Sequence, residues 1–152
     1  MEKYKTIKEE LSLDGKNVVI TGGAGFLGLN FAEGVAEMGG VPILLDIELK
    51  SLTKALNKLE SKGFEVYGHQ MDIMDKNNVN HVINNVINKY KHIDCLINSA
   101  AFALKQSQKK GTSFFESFEN YNLSNWKESI DINLTGTFLV TQIIGLAMKE
   151  QK

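Results

Sequence analysis

Short apolar runs alternate with amphipathic segments along most of this chain. The runs are rich in valine, isoleucine and leucine and predict four strands, at 18–21, 41–46, 64–69 and 93–98. Between them, apolar residues recur at steps of three and four, the spacing of one helix face. The predicted helices cover 26–38, a stretch from Leu49 that ends at Gly63, 76–90 and a final stretch from 124 or 125 to about 149.

The residues at the segment ends support these boundaries. Gly39 and Gly40 follow the first helix as a stop signal, and Asp75 is a plausible N-cap for the third. Ser124 or Asn125 is the predicted cap of the last helix. Residues 105–112 read as a polar loop, and 114–121 as an irregular stretch or short helix. Strands alternating with helices predict an α/β fold, a doubly wound parallel sheet of Rossmann type with strand order 3-2-1-4.

Composition narrows the class of protein. The 152 residues, 43% hydrophobic and 23% charged, fit a single domain over residues 1–152. A net charge of −1 gives no electrostatic reason to expect nucleic acid or a membrane surface as partner. A single cysteine, Cys95, excludes an intrachain disulfide and is expected to be buried. Without a signal peptide or a long apolar run, we expect a cytoplasmic protein.

A glycine-rich turn follows the first strand and opens the first helix. Gly22, Gly25 and Gly28 are spaced three apart. Residues without a Cβ allow unusual backbone angles and close approach of a phosphate, and the helix start offers free N–H groups. The position predicts a dinucleotide pyrophosphate site. An ordinary turn joining strand to helix is the alternative.

Two acidic residues lie where further parts of a dinucleotide would bind. Asp46 ends the second strand, where a carboxylate binds ribose hydroxyls and repels a 2′-phosphate. No basic residue occupies the next three positions, which favours NAD over NADP. Asp46 could instead, or also, be the N-cap of the next helix. Asp72, with Ile73, follows the third strand and could lie near adenine, although such an aspartate often only caps a turn.

Taken together, these segments resemble the N-terminal part of the short-chain dehydrogenase/reductase family. The resemblance is carried by Thr21 to Gly28, by Asp46, by Asp72-Ile73, by residues 94–101 (D-C-L-I-N-S-A-A) and by residues 126–138. It extends from about residue 14 to the end of the chain. It implies the Rossmann-type fold predicted above, incomplete relative to the family.

The resemblance also implies roles for individual residues. Asn133 would be the catalytic-site asparagine that holds a water in the proton relay. The cofactor-binding residues would be Gly22, Gly25, Phe26, Leu27, Gly28, Asp46, Asp72, Ile73, Asn98, Ser99 and Ala100. The glycine spacing is similar to the extended branch of the family, typical of sugar-nucleotide epimerases, whereas Asn98 and Asn133 favour the classical branch. Ser99 replaces the more usual second asparagine.

The family's catalytic Tyr-x-x-x-Lys pattern is matched only by Tyr4 and Lys8, which precede the cofactor turn. The leading hypothesis is therefore the cofactor-binding part of an NAD-dependent oxidoreductase that moves hydride between nicotinamide and a carbonyl or alcohol substrate. Alternatives are a non-catalytic NAD-binding or regulatory module and a fragment of an extended-type epimerase or dehydratase. The three histidines lack metal-ligand spacing, so no metal is expected.

The predicted strand 93–98 would lie at a sheet edge, and the last helix is apolar on more than one face. Both features indicate further contacts. We expect a homo-oligomer or a complementing C-terminal segment as partner, beside a small-molecule substrate.

Overall fold

Four parallel strands form the centre of the molecule. The computed structural model describes residues 6–102 and 117–151, so the predicted loop at 105–112 lies outside the described residues. The sheet order is β3-β2-β1-β4, as predicted, and all three pairings are parallel. The strands are β1 Asn17–Thr21, β2 Val41–Asp46, β3 Tyr67–Gln70 and β4 Cys95–Asn98.

Helices connect these strands and continue past β4. They are α1 Ile7–Glu10, α2 Phe26–Glu37, α3 Leu49–Glu60, α4 Lys76–Tyr90, α5 Leu123–Ile130 and α6 Thr137–Glu150, with a short 3-10 turn at Phe118–Asn120. A π-helical turn, Asp131–Gly136, joins α5 to α6. The three pieces form one continuous long helix, Leu123–Glu150.

One predicted N-cap residue agrees with the structure and one prediction does not. Asp75 caps α4 as predicted, accepting from the N–H groups of Asn77 and Asn78. The prediction for the last helix was wrong: Asn122 is the cap, and its Oδ1 accepts from Ser124 N at 2.8 Å. An asparagine further upstream satisfies the same free N–H groups, so the helix begins earlier.

Strands β3 and β4 are shorter than predicted because each begins only where its residues pair with the neighbouring strand. β3 begins at Tyr67, opposite Ile43, rather than at residue 64. Phe64 N instead donates to Leu59 O in the turn that ends α3. β4 begins at Cys95, opposite Val18, rather than at residue 93. Apolar runs therefore mark these strands, but pairing decides where each one starts.

The core lies in two layers, one on each face of the sheet. All five residues of β1 are buried, as expected of a central strand covered on both sides. Helices α4 and α6 cover one face, packing against Val19, Ile43 and Leu45. Helices α2 and α3 cover the other, against residues such as Ile20 and Leu44. The carboxyl ends of the strands are left as one open edge above this core.

Strand β4 pairs only with β1 among the described residues, so it forms the edge of the sheet. Cys95, at its start, is exposed. The prediction that this cysteine is buried was therefore wrong, because Cys95 begins an edge strand that pairs only with β1 among the described residues.

The long helix is long enough and apolar enough, by length and composition alone, to span a membrane. Few residues in the most apolar part of this helix are buried. The expectation that no segment is long and apolar enough was wrong on this measure. The same composition arises in helices that pack on a sheet, and here Val140 and Ile144 are fully buried against the core.

Candidate functional site

A cavity of about 550 Å³ opens at the carboxyl ends of the strands. Open α/β sheets bind ligands at this edge, where the loops leave the strands and helices begin. Five of its lining segments are the glycine turn, the end of β2, the start of α3, the turn after β3 and the turn after β4. The predicted residues among its lining are Gly22, Gly25, Asp46, Asp72, Ile73, Ser99 and Ala100.

The glycine turn leaves no room for a side chain at several positions, among them Gly22 and Gly28. Gly22 has φ +61°, and a Cβ there would lie 2.7 Å from Ala100 Cα. A Cβ on Gly28 would clash with Gly22 O. Gly25 closes the turn by donating its N–H to Gly22 O at 3.0 Å. The turn is therefore packed tightly between the end of β1 and the start of α2.

The start of α2 is suited to bind an anion. Its N-cap is Gly25, which has no side chain to occupy the first N–H groups of the helix. Phe26 and Leu27 point their side chains outward, with Phe26 85% exposed, so these residues offer backbone rather than side chain. Free N–H groups at a helix N-terminus are a common phosphate-binding arrangement.

Asp46 links the end of β2 to the glycine turn. Its Oδ2 accepts from Ala24 N at 3.0 Å, and its Oδ1 accepts from Glu48 N at 3.0 Å. Each carboxylate oxygen retains capacity for another hydrogen bond, because a carboxylate offers about four acceptor positions. The carboxylate can therefore hold the turn and still accept from a ligand in the cavity.

The cap of α3 is Glu48 and not Asp46. Glu48 accepts from the N–H groups of Lys50 and Ser51 and from the Ser51 hydroxyl. Hydrogen bonds from the Ser51 hydroxyl and N–H and from Lys50 N–H lower the pKa of Glu48 below its ordinary value. The alternative role considered for Asp46 as helix cap is thus wrong. Sequence reasoning missed Glu48, although its position just before an amphipathic helix was an available signal.

Asp72 and Ile73 form the turn after β3. Asp72 Oδ1 accepts from Met74 N at 2.8 Å, and Asp72 N donates to Asn78 Oδ1 at 2.8 Å. A Cβ built on Gly136 would lie 2.8 Å from the Ile73 side chain. The π-helical segment that contains Gly136 therefore passes close to the turn after β3. Asp72 therefore has a local structural role as well as a place in the cavity wall.

The turn after β4 is held by a residue that sequence reasoning did not single out. The buried hydroxyl of Thr21 accepts from Ser99 N and from Ala100 N, each at 3.2 Å. This fixes Ser99 and Ala100 beside Gly22. Asn98 turns away from the cavity wall, and its Nδ2 donates to Thr141 Oγ1 at 3.0 Å.

Asn133 lies in the π-helical turn. Its Oδ1 accepts from Phe102 N at 2.7 Å, which ties the long helix to the segment after β4. Its neighbour Ile132 lines the cavity, and Asn133 itself does not. Single π-helical turns inside α-helices are frequent at functional sites. No sequence pattern signalled this one.

The described residues contain no group of three or more histidine, cysteine, aspartate or glutamate side chains that could hold a metal ion. The chemistry that the cavity wall offers is carboxylates, backbone N–H groups and apolar surface.

Comparison with known proteins identifies this arrangement. The family model described as short chain dehydrogenase matches residues 16–152. The chain belongs to this family. The resemblance inferred from the glycine turn, Asp46 and the segments around Asn98 and Asn133 is thereby confirmed.

Several curated members of the short chain dehydrogenase family are 27–31% identical to this chain over the aligned residues. It is 31% identical over 147 residues to an NAD-dependent glycerol dehydrogenase of Listeria innocua, covering 95% of this chain and 52% of that protein. It is 29% identical to a 5-keto-D-gluconate 5-reductase of Escherichia coli, covering 93% of this chain and 52% of the relative. The chain thus spans about half the length of the curated relatives it matches.

Solved structures agree with the short chain dehydrogenase fold. An NAD⁺-bound xylitol dehydrogenase superposes with a TM-score of 0.81 at 27% identity, covering 91% of this chain and 50% of that one. The protein gox2181 gives a TM-score of 0.83 at 28% identity, covering 93% and 52%.

Proposed function

We propose that this chain is the cofactor-binding part of an NAD-dependent oxidoreductase that acts on a small carbonyl or alcohol substrate. The observation that carries the proposal is the position of Asp46. Its carboxylate lies in the cavity wall while it accepts from Ala24 N in the glycine turn. One side chain therefore connects the proposed ribose site with the proposed pyrophosphate site.

The residues of the cavity fit a dinucleotide. Gly22 and Gly28 let the glycine turn pack against the backbone of Ala100 and against the start of α2, and the first N–H groups of α2 would hold the pyrophosphate. Asp46 would accept from the adenosine ribose, with Asp72 and Ile73 beside adenine and Ser99 and Ala100 along the inner wall. The bound cofactor would supply hydride transfer at its nicotinamide.

The preference for NAD over NADP is part of the proposal. A 2′-phosphate would place two negative charges next to the Asp46 carboxylate, which is unfavourable at short range. The relative from Listeria innocua is named NAD-dependent, and the xylitol dehydrogenase holds NAD⁺. Both are consistent with this preference.

Within this chain, Asn133 is the residue proposed to serve the reaction. Its side chain connects the π-helical turn to the segment after β4 and lies next to Ile132 of the cavity wall. A proton donor of the Tyr-x-x-x-Lys type is matched only by Tyr4 and Lys8, and Tyr4 lies outside the described residues. We therefore propose that the proton-transferring tyrosine is supplied by residues other than those of this chain.

A non-catalytic NAD-binding or regulatory module is the second candidate, favoured by that same lack of a suitably placed tyrosine–lysine pair. The two functions differ in turnover. The coding sequence downstream of Lys152 separates them: a Ser…Tyr-x-x-x-Lys pattern there would favour the first function, and the joined polypeptide should then form NADH from an alcohol substrate, followed by absorbance, whereas no such pattern would favour the second.

Partners beyond the substrate belong to the proposal too. The long helix exposes a series of large apolar residues, which we name the long-helix stripe: Leu123, Trp126, Ile130, Leu134 and Phe138. Exposed apolar patches of this kind usually mark interfaces. We propose that a second copy of the chain, or a complementing C-terminal segment, covers the stripe.

The binding experiment is a titration of the chain with NADH and with NADPH, followed by nicotinamide fluorescence. We expect NADH to bind more tightly. Asp46→Asn should lower the ratio of the NADPH to the NADH dissociation constant about tenfold, or ~1.4 kcal/mol, since it removes one charge beside the ribose. Asp14→Asn removes an acid beside Gly39, at the far end of α2, and should leave the ratio unchanged.

Failure of both dinucleotides to bind would refute the proposed function. Tighter binding of NADPH would refute only the role given to Asp46.

A further inference from the structure

Gly136 ends the π-helical turn behind the wall of the cavity. It is buried, and a Cβ built on it would lie 2.8 Å from Ile73 Cδ1, 2.9 Å from Ile73 Cγ1 and 3.1 Å from Met74 Sδ. Ile73 and Met74 both line the cavity. Because glycine has no side chain, these two parts of the cavity wall can lie directly against the long helix.

The surroundings of Gly136 differ from those of the glycine turn. At Gly22 and Gly28 an added Cβ would meet backbone atoms, which cannot move without distorting the chain. At Gly136 the three nearest atoms all belong to side chains. Crowding at Gly136 is therefore relieved most easily by moving side chains of the cavity wall.

The backbone on both sides of this contact is fixed. In the turn after β3, Asp72 N donates to Asn78 Oδ1 and Asp72 Oδ1 accepts from Met74 N, each at 2.8 Å. In the long helix, Val140 lies one turn after Gly136 and is fully buried in the core. A side chain added to the helix at this point would therefore push the side chains of the turn toward the cavity.

We propose that Gly136 is a positioning residue for the adenine end of the cofactor. By having no side chain, it lets Ile73 and Met74 lie against the long helix and keeps them out of the space that adenine would occupy. The inference rests on the proposed function, which puts adenine beside Asp72 and Ile73, and deepens it. Gly136 is not part of the cavity wall, so it acts through its two neighbours.

The test compares Gly136→Ala with Gly145→Ala in the full chain. Both replace a glycine of the long helix, but a Cβ at Gly145 would meet nothing within 4 Å. In Gly136→Ala we expect the NADH dissociation constant to rise at least about fivefold, the order expected when one methyl group crowds a packed contact. Gly145→Ala should change it by less than about twofold.

ADP-ribose locates the effect along the cofactor, because it carries adenine but no nicotinamide. Its dissociation constant is measured by displacement of fluorescent NADH. In Gly136→Ala it should rise by the same factor as that of NADH. A rise for NADH alone would overturn the inference, since it would place the effect at the other end of the cofactor.

A double-mutant cycle tests whether the effect passes through Ile73. Ile73→Val removes Cδ1, the atom nearest to a Cβ at position 136. In the Ile73→Val background, Gly136→Ala should therefore raise the NADH dissociation constant by about twofold or less. An equal rise in both backgrounds would overturn the inference.

Unfolding separates a positioning role from a purely structural one. Alanine has a higher helix propensity than glycine, and only side chains need to move, so the urea midpoint of Gly136→Ala should fall by no more than about 0.3 M. A variant that does not fold, or a folded variant with unchanged NADH affinity, would overturn the inference and leave the proposed function intact. If the unmodified chain binds neither NADH nor NADPH, the proposed function and this inference fail together.

Discussion

At the scale of single residues, the shape of the site depends on a few hydrogen bonds and one close backbone contact. Thr21 holds the turn after β4 through two hydrogen bonds, and Gly22 lies against that turn at Ala100. Asp46 fixes the glycine turn through Ala24 N. These contacts join segments from three strands, so the site is shaped before a ligand is bound.

Gly22→Ala tests how tightly this junction is packed. Gly63 is the matched control, because it also has positive φ, +84°, but a Cβ there would meet nothing within 4 Å. We expect Gly63→Ala to cost ~1 kcal/mol for the backbone conformation alone. Gly22→Ala should cost ~1–3 kcal/mol more, since its Cβ would clash with the Ala100 backbone.

Urea unfolding of both glycine variants measures the difference. Equal losses of unfolding free energy would contradict the tight contact between the glycine turn and Ala100.

At the scale of elements, β4 is held at its start by side-chain hydrogen bonds in addition to its pairing with β1. Asp94 accepts from Lys16 Nζ at 2.9 Å and from Asn17 N at 2.8 Å. Burial raises the pKa of Asp94, but these hydrogen bonds and the nearby His92 outweigh it, so the pKa lies below its ordinary value. At the end of the long helix, Gln151 makes two hydrogen bonds with the backbone of Ile93, at 2.7 and 2.9 Å. The edge strand is thus connected to β1 and to α6.

Gln151→Ala should weaken this connection. The buried Ile93 would lose partners for both its N–H and its C=O, at a cost of ~1–3 kcal/mol. Gln142→Ala, at an exposed position on the same helix, should change the unfolding free energy by less than ~0.5 kcal/mol. Hydrogen exchange should also become faster at β4 in the first variant alone. Equal exchange rates in both variants would show that Gln151 does not hold the strand.

At the scale of the whole molecule, two features are not covered by other described residues. They are the β4 edge of the sheet and the long-helix stripe. Trp126 is the only tryptophan of the chain and is 56% exposed within the stripe. Its fluorescence therefore reports whether the stripe is covered. The net charge of −1 offers little repulsion against association.

We expect self-association to protect Trp126 from iodide quenching as the chain concentration rises. Leu134→Glu should weaken that association at least about tenfold, because burying a leucine side chain is worth ~2 kcal/mol. Thr135→Glu adds the same charge at the adjacent exposed position and should have a smaller effect. Sedimentation velocity measures both. A sedimentation coefficient independent of concentration would argue against a second copy on the stripe.

The sequence by itself determined the parts of this protein that depend on neighbouring residues. The alternation of apolar runs with helical patterns gave the parallel sheet and its order, because right-handed crossovers leave few arrangements. Asp46 at the end of β2 and the glycines after β1 were identified from their positions directly at the ends of predicted strands. Their chemistry follows from their position relative to one strand.

Only the tertiary structure decided the features that need a partner distant in sequence. The start of β3 depends on its register with Ile43, and the orientation of Asn98 depends on Thr141 in α6. The π-helical turn packs through Gly136 against Ile73, a contact that no local pattern encodes. The place of Glu48 beside Asp46 in one cavity likewise required the folded chain, because a helix cap and a strand end become one wall only when α3 packs against β2.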